Sequence, residues 1–278
     1  MNINENIKKA ARAIHEADAV FITSGAGVGV DSGLPDFRGN EGFWKAYPPL
    51  AKLNISFYDM ANPRWFLTNP EMAWGFYGHR LNLYREILPH KGFDVLLNIA
   101  KEKPFGYFVF TSNVDGQYQK AGYDDNLICE CHGSIHHLQC LQPCSQQIWN
   151  NDIIIDIDLT TFKTTSELPI CKNCLELARP NVLMFGDWNW IGTRTDNQYD
   201  QMSNWLRARH NKNLVIIESG AGVSVATVRR LSEDVSRKYG ATLIRINPRD
   251  HLINGKGISI PLGAKEGIER IYDLMQNL

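Results

Sequence analysis

The sequence predicts an α/β fold: a doubly wound, Rossmann-like parallel sheet with a small zinc-binding module and a helical insert. Three observations predict it. Short apolar runs alternate with segments of helical periodicity along the chain, and strands that alternate with helices build a parallel sheet covered on both faces. The first such run, Ala19 to Ile22, opens into a turn with glycine at 25, 27, 29 and 33. Four cysteines stand as two close pairs in a polar stretch, Cys140 with Cys144 and Cys171 with Cys174.

Taken in order, Ile7, Ala10, Ala11 and Ile14 recur at helical spacing, so the chain opens with an amphipathic helix against the first strand. After Gly39 the composition turns aromatic (Phe43, Trp44, Tyr47, Phe57, Tyr58) with no strand alternation. Asn69-Pro70-Glu71 reads as a helix start and Pro89 lies past its end. Residues 40–88 are therefore expected to form a helical and loop insert, a lid over the nucleotide site. Phe93 to Ala100 is helical. Tyr107 to Thr111 is a second buried strand ending in Ser112-Asn113-Val114-Asp115, and Leu127 to Cys131 is a third ending in His132-Gly133. Val182 to Phe185 reads as a strand ending in Gly186-Asp187. Asn213 to Ile217 leads into a second glycine turn, Glu218-Ser219-Gly220-Ala221-Gly222, then a helix to about Tyr239. Thr242 to Ile246 is followed by Asn247-Pro248, and a last helix starts near Lys265. The expected division gives residues 1–39, 89–135 and 179–278 to the Rossmann-like domain, 40–88 to the insert and 136–178 to the zinc module.

Composition bounds the function. The chain is 44% hydrophobic and 21% charged, with a formal net charge of -1. No basic field invites nucleic acid or an anionic membrane. The first residues hold acids and amides but no apolar signal core, and no apolar run has the length of a bilayer span. The expected setting is the cytoplasm, where thiols stay reduced, so paired cysteines favour a metal over disulfides.

Each motif suits a chemistry. Glycines after a strand let backbone N–H groups approach a phosphate without side chains in the way. Pro35-Asp36-Phe37-Arg38 then adds a rigid turn with an acid, a ring and a cation. Asn113, Asp115 and His132 lie at strand ends, the edge where open α/β sheets bind ligands. Histidine titrates near neutrality and suits proton transfer. Four thiolates with no place left for water suit a closed, structural zinc site.

Residues 22–39 resemble the sirtuin signature Gly-Ala-Gly-x-Ser-x-x-Ser-Gly-Ile-Pro-Asp-Phe-Arg, with Gly29 where the family usually has serine. Thr111-Ser112-Asn113-Val114-Asp115 resembles the family's Thr-Gln-Asn-Ile-Asp, with Ser112 for glutamine. His132-Gly133, Arg179 to Asp187 and the four cysteines also resemble family motifs, although the first cysteine pair has three intervening residues instead of two. The resemblance runs from Ala19 to Ala264. It implies an NAD-dependent enzyme with structural zinc. Gly25, Ala26, Gly27, Asp36, Phe37, Arg38, Ser112, Asn113, Asp115, Ser219, Gly220, Asn247 and Ala264 would contact NAD. His132 would be the general base, with Asn113 and Asp115 at the nicotinamide end. Leu183, Phe185 and Gly186 would line the acyl-lysine tunnel, and Cys140, Cys144, Cys171 and Cys174 would hold zinc. By the same resemblance, the acyl oxygen attacks the ribose as nicotinamide leaves, Phe37 shields the centre, and O-acyl-ADP-ribose and free lysine result.

Tyr77 and Arg80 sit at i, i+3 on one helix face, where arginine and a phenol can fork a carboxylate. A Tyr-x-x-Arg at this place occurs in sirtuins that remove succinyl or malonyl groups. The expected partner is therefore an acylated protein or peptide, with acidic acyl groups possible. Gly29, Ser112 and Trp188-Asn189-Trp190 motivate an alternative, a sirtuin-fold mono-ADP-ribosyltransferase or NAD glycohydrolase. A non-enzymatic NAD sensor is a third reading, and His132 speaks against it.

Overall fold

The structure is a computed structural model that describes residues 2–35 and 39–278. Its strands are β1 (Ala19–Ser24), β2 (Tyr107–Thr111), β3 (Ile128–Glu130), β4 (Gly133–Cys140), β5 (Ile148–Asn150), β6 (Ile157–Asp158), β7 (Lys163–Thr164), β8 (Ala178–Val182), β9 (Leu214–Ser219), β10 (Thr242–Ile246) and β11 (Ile258–Ile260). Six of them form one parallel sheet in the order β11-β10-β9-β1-β2-β3. The chain winds outward from β1 to β3, then returns through β9 to β11 on the other side. Strand order thus reverses between β1 and β9, which opens a crevice at their carboxyl ends.

Every residue of β1, β2 and β9 is buried. That follows from their continuous apolar runs, which suit strands covered on both faces. On one face Ile7, Ile14, Phe93, Leu96, Ile268 and Ile271 join Val20, Ile22 and Ile217. On the other, Met202, Trp205, Leu206 and Val228 cover Phe21, Phe108 and Ile216. Between β9 and β10, Arg245 grips both oxygens of the buried Glu218 carboxylate at 2.5 and 3.0 Å. The paired, forked geometry is what makes that charge tolerable inside the sheet.

The smaller sheet runs β5-β4-β8, antiparallel. Its apolar side shares a cluster with the 40–88 stretch: Phe43, Tyr47, Phe66, Trp74 and Phe76 pack with Ile135, Leu138 and Val182, and Phe162 from the β6–β7 turn joins them. Helix Pro70–Glu86 starts as the sequence indicates, with Asn69 Oδ1 accepting from Met72 N–H at 3.3 Å.

Three readings change. The strand expected over 182–185 lies upstream, as β8, and pairs with β4. Leu183 and Phe185 are instead pinned singly, their N–H groups donating to the carbonyls of His132 and Ala61, each at 2.9 Å. The strand β11 and the helix Thr193–Arg207 add to the elements read from sequence. The first glycine stretch, read from sequence as a turn, is a 3-10 helix over Ala26–Ser32, closed by Gly33 at φ 91°.

Candidate cofactor and catalytic site

The floor of the crevice is made by two glycine turns that clasp each other. Gly25 N–H donates to the Ser219 carbonyl at 3.1 Å, Gly27 N–H to Gly220 at 3.0 Å and Gly220 N–H to Ile246 at 3.1 Å. Gly220 has φ 64°, and a Cβ there would stand 2.1 Å from Val28 N and 2.3 Å from Gly27 C. So close an approach of two backbones needs glycine on both sides. Gly220→Ala is expected to destabilise the fold by about 3 kcal/mol through strain and overpacking. Urea unfolding reads it; an unchanged midpoint would mean that the clasp yields freely. Gly29 differs, because a Cβ there meets Leu34 Cδ1 at 2.8 Å and Cβ at 3.3 Å, so a side chain asks only that Leu34 shift and not that a backbone move.

Around this floor stand other candidate residues. Ser219 Oγ is buried and finds no partner among the described residues. Asn247 is fully engaged: its Nδ2 donates to the Ala221 carbonyl at 2.9 Å, and its Oδ1 accepts from Arg249 N–H at 3.0 Å and Asp250 N–H at 2.9 Å. It shapes the rim through the backbone. Ala264 begins the last helix, whose Lys265 N–H donates to Asp31 of the first turn at 2.8 Å. Gly25, Ala26, Gly27, Ser219, Gly220, Asn247 and Ala264 thus gather round the carboxyl ends of β1, β9 and β10. An orphaned hydroxyl beside a bare backbone cradle fits the ribose and phosphates of a dinucleotide. Asp36, Phe37 and Arg38 lie outside the described residues.

The next strand ends carry the polar groups. Ser112 N–H donates to the Ser24 carbonyl at 3.1 Å, Asn113 N–H to Thr111 Oγ1 at 3.1 Å and Cys131 N–H to the Thr111 carbonyl at 2.9 Å. These bonds draw Ser112, Asn113 and His132 to one edge. Burial lowers the pKa of His132, and a hydrogen bond with the Ser112 backbone partly opposes it. The imidazole is therefore neutral at pH 7 and able to accept a proton.

Asp115 is buried and its carboxyl is pushed up to about 6, mainly by burial, while the Gln117 N–H at 3.0 Å and Arg80 pull it down. The fold therefore favours the protonated acid. That advantage is complete below pH 4 and is lost as pH rises through 6. Asp115→Asn is accordingly expected to raise stability at pH 7 by about 1–3 kcal/mol and to do nothing at pH 3.5, while turnover falls. Melting curves at both pH values check this. Destabilisation at pH 7 would contradict it.

Tyr77 and Arg80 share one face of helix Pro70–Glu86, as their spacing requires, but both are buried, at 1% and 7% exposure. Arg80 Nε and Nη2 donate to Tyr84 Oη at 3.0 and 2.9 Å, and its guanidinium lies over the rings of Phe76, Tyr77 and Tyr84. Tyr77 Oη is buried and finds no partner among the described residues. Leu183 and Gly186 are exposed, while the Phe185 ring lies against Tyr58, centroids 4.3 Å apart and planes tilted by 34°. Arg179, wholly buried, holds Asp187 at 2.6 Å and so fixes the turn. Sequence reasoning missed this pair, since nothing in Arg179-Pro180-Asn181 announces burial.

The four cysteine sulfurs of the zinc segment lie within 4.8 Å of one another, with Cys140 to Cys174 and Cys144 to Cys171 each 3.6 Å apart. Tetrahedral zinc with bonds of about 2.3 Å sets its sulfurs about 3.8 Å apart. The donor set fits that ion, and the longer first knuckle does not spoil it. Burial raises the Cys171 thiol, but the N–H groups of Cys174 and Asn173 outweigh this and bring it to about 7. Cys129 and Cys131 are buried elsewhere, in and beside β3.

Among the described residues no helix is long and apolar enough to cross a membrane. The description "Sir2 family" fits residues 25–226. An NAD-dependent protein deacylase of Leptospira interrogans is 31% identical over 228 residues, which span 81% of this chain and 79% of the relative. One from Aquifex aeolicus is 25% identical and covers 92% of this chain and 95% of its own. A mutant Sir2 homologue solved in complex with ADP-ribose has a TM-score of 0.72 at 25% identity, over 97% of this chain and 96% of that one.

Proposed function

We propose a function from one premise: the chain belongs to the Sir2 family, a family of NAD-dependent enzymes. It is an NAD-dependent protein-lysine deacylase that releases nicotinamide and O-acyl-ADP-ribose. The observation that carries this is the half-buried, neutral His132, tied to Ser112 at the sheet edge that also bears the buried Asn113 and Asp115.

When bound, NAD supplies a ribose carbon with nicotinamide as its leaving group. The chain's part is to hold and deprotonate. The backbones of Gly25, Ala26, Gly27 and Gly220 cradle the phosphates, and Ser219 Oγ serves the adenosine side with the rim that Asn247 and Ala264 shape. Asp36, Phe37 and Arg38 belong to the same set by resemblance. Asn113, Asp115 and the Ser112 backbone orient the nicotinamide end, and His132 takes a proton from a ribose hydroxyl. The four cysteines hold zinc, which ties the 136–178 segment together. The three-part division of the chain and a cytoplasmic setting belong to the same reading.

The acyl chain enters past Leu183, Phe185 and Gly186 toward Tyr77 and Arg80, and the enzyme prefers succinyl or malonyl groups. A buried phenol without a partner beside a guanidinium supports this. Arg80→Met is expected to lower kcat/KM for a succinyl-lysine peptide about 100-fold relative to the acetyl-lysine peptide, the weight of one charge-assisted contact. An unmoved ratio between the two peptides removes the acidic preference. Mass spectrometry of the products tests the reaction itself: O-acyl-ADP-ribose supports deacylation, and free ADP-ribose alone supports the hydrolase.

A further inference from the structure

A cavity of about 820 Å³ opens on the side of the molecule where the two sheets meet. It lies between helix Gln117–Lys120, helix Thr193–Arg207 and the strands β4 and β5. Its walls differ in chemistry. One is basic: Arg194, Arg85 and Lys120 line it, with the neutral imidazoles of His136 and His137 between them. The other is rich in amides, among them Gln119, Asn126, Asn197 and Gln201, with Asp125.

That wall carries buried nitrogens without partners. Arg194 Nη2 binds the buried Glu130 at 2.5 Å, but Arg194 Nη1 is buried and finds no partner among the described residues. His137 Nδ1 is in the same condition. Lys120 and Arg85 spend their donors on backbone carbonyls, Lys120 on Arg85 and Ile87, and Arg85 on Asn151 and Ile153, so their charge stays at the wall. Burial lowers the pKa of His136, and Arg85, Lys120 and Arg194 lower it further; burial and Arg194 bring His137 to about 4. Burial is the larger cause in both, and the share that comes from Arg194 reflects its positive charge beside the imidazoles.

We propose that this cavity binds a small polyhydroxylated anion of the sugar-phosphate class. The phosphate sits at Arg194 Nη1 and the His136–His137 wall, where charge-assisted bonds are available. The hydroxyls meet the amides and Asp125, which offer both donors and acceptors. The volume suits a ligand of that size.

The cavity also touches the catalytic edge. His136 Nε2 bonds the Asp115 carbonyl at 2.9 Å, and its ring fills the space beside Gly116, 2.8 Å from where a Cβ would be. A ligand that engages His136 therefore bears on the Asn113–Asp115 turn. Its expected effect on NAD affinity rests on the role given to that turn above; binding in the cavity does not.

The test is calorimetry with glucose 6-phosphate, glucose and inorganic phosphate on the full chain, saturated with NAD so that the cofactor crevice is closed to the probes. Glucose 6-phosphate is expected to bind at least about tenfold more tightly than either fragment. Asn197→Leu/Gln201→Leu changes two exposed residues one helical turn apart and is expected to weaken it about fivefold or more. Glu130→Gln/Arg194→Gln, which removes the buried pair together, is expected to abolish the advantage over glucose. In a second titration, glucose 6-phosphate is expected to change the Kd of NAD about threefold. Absence of binding overturns the proposal, as does binding that both double variants leave intact. Equal binding of phosphate and glucose 6-phosphate also overturns it. Failure of deacylation with cavity binding retained overturns the function proposed above and leaves the cavity assignment standing.

Discussion

His132→Ala is expected to lower NAD turnover by about 10²–10⁴-fold while NAD binding stays within about threefold. The side chain lies at the end of β3, and the ring is held by the Ser112 backbone, so its removal subtracts a base without disturbing the glycine clasp at β1 and β9. Burial is the larger influence on its pKa and lowers it, so the acidic limb of kcat/KM is expected below the 6.5 of an ordinary histidine. The sign is direct: protonation fills the lone pair the reaction needs, so activity falls as pH drops through that value. Retained turnover in the variant would move the base elsewhere. Loss of NAD binding together with turnover would instead make His132 part of the crevice's structure.

Removing the metal site is expected to have the largest effect on stability. A structural zinc on four thiolates contributes an apparent ~10–16 kcal/mol at pH 7, comparable to the whole ~5–15 kcal/mol stability of a typical domain. Here Cys140 ends β4, opposite Ala178 at the start of β8. Past a register shift between Leu138 and Ser134, the same two strands pair again at Gly133 and Val182, next to His132. Freeing the four sulfurs is therefore expected to loosen the small sheet from its far end toward His132. Cys171→Ala, or chelation of the native chain, is expected to lower the melting temperature by at least about 10 °C and to abolish activity. Metal analysis should find one zinc per chain in the native protein. A metal-free chain with the same melting temperature would show four thiols that merely lie close together.

The parallel sheet was legible because β1, β2, β9 and β10 are continuous apolar runs, and full burial demands nothing subtler. β8 was not, because Arg179, Pro180 and Asn181 are polar or strand-averse. Their burial depends on Asp187, Gln139 and the Ile191 carbonyl, which no local pattern brings near. Helix Thr193–Arg207 hid for a related reason: Thr195 and Gln198 face inward against β3, and apolar residues return only at Met202, Trp205 and Leu206. β11 is three residues between turns, too short for a period.

At the site, the glycines, the strand-end polar groups and the cysteine pairs could be named from spacing. What spacing could not give was why each glycine is there. Gly25 and Gly220 let two backbones touch, while Gly29 faces only a pliant leucine. Nor could it give burial. Tyr77 and Arg80 lie on one face as read, yet inside an aromatic cluster. Arg194 and Glu130, 64 residues apart in sequence, meet only in the fold.

Nicotinamide release by the purified protein tests the central claim most directly. It is measured with NAD and an acetyl-lysine peptide, a succinyl-lysine peptide, or no peptide. A deacylase at this site releases nicotinamide only when an acylated peptide is present, and faster with the succinyl one. Release at the same rate without peptide would contradict it and make the protein an NAD glycohydrolase on a Sir2 fold.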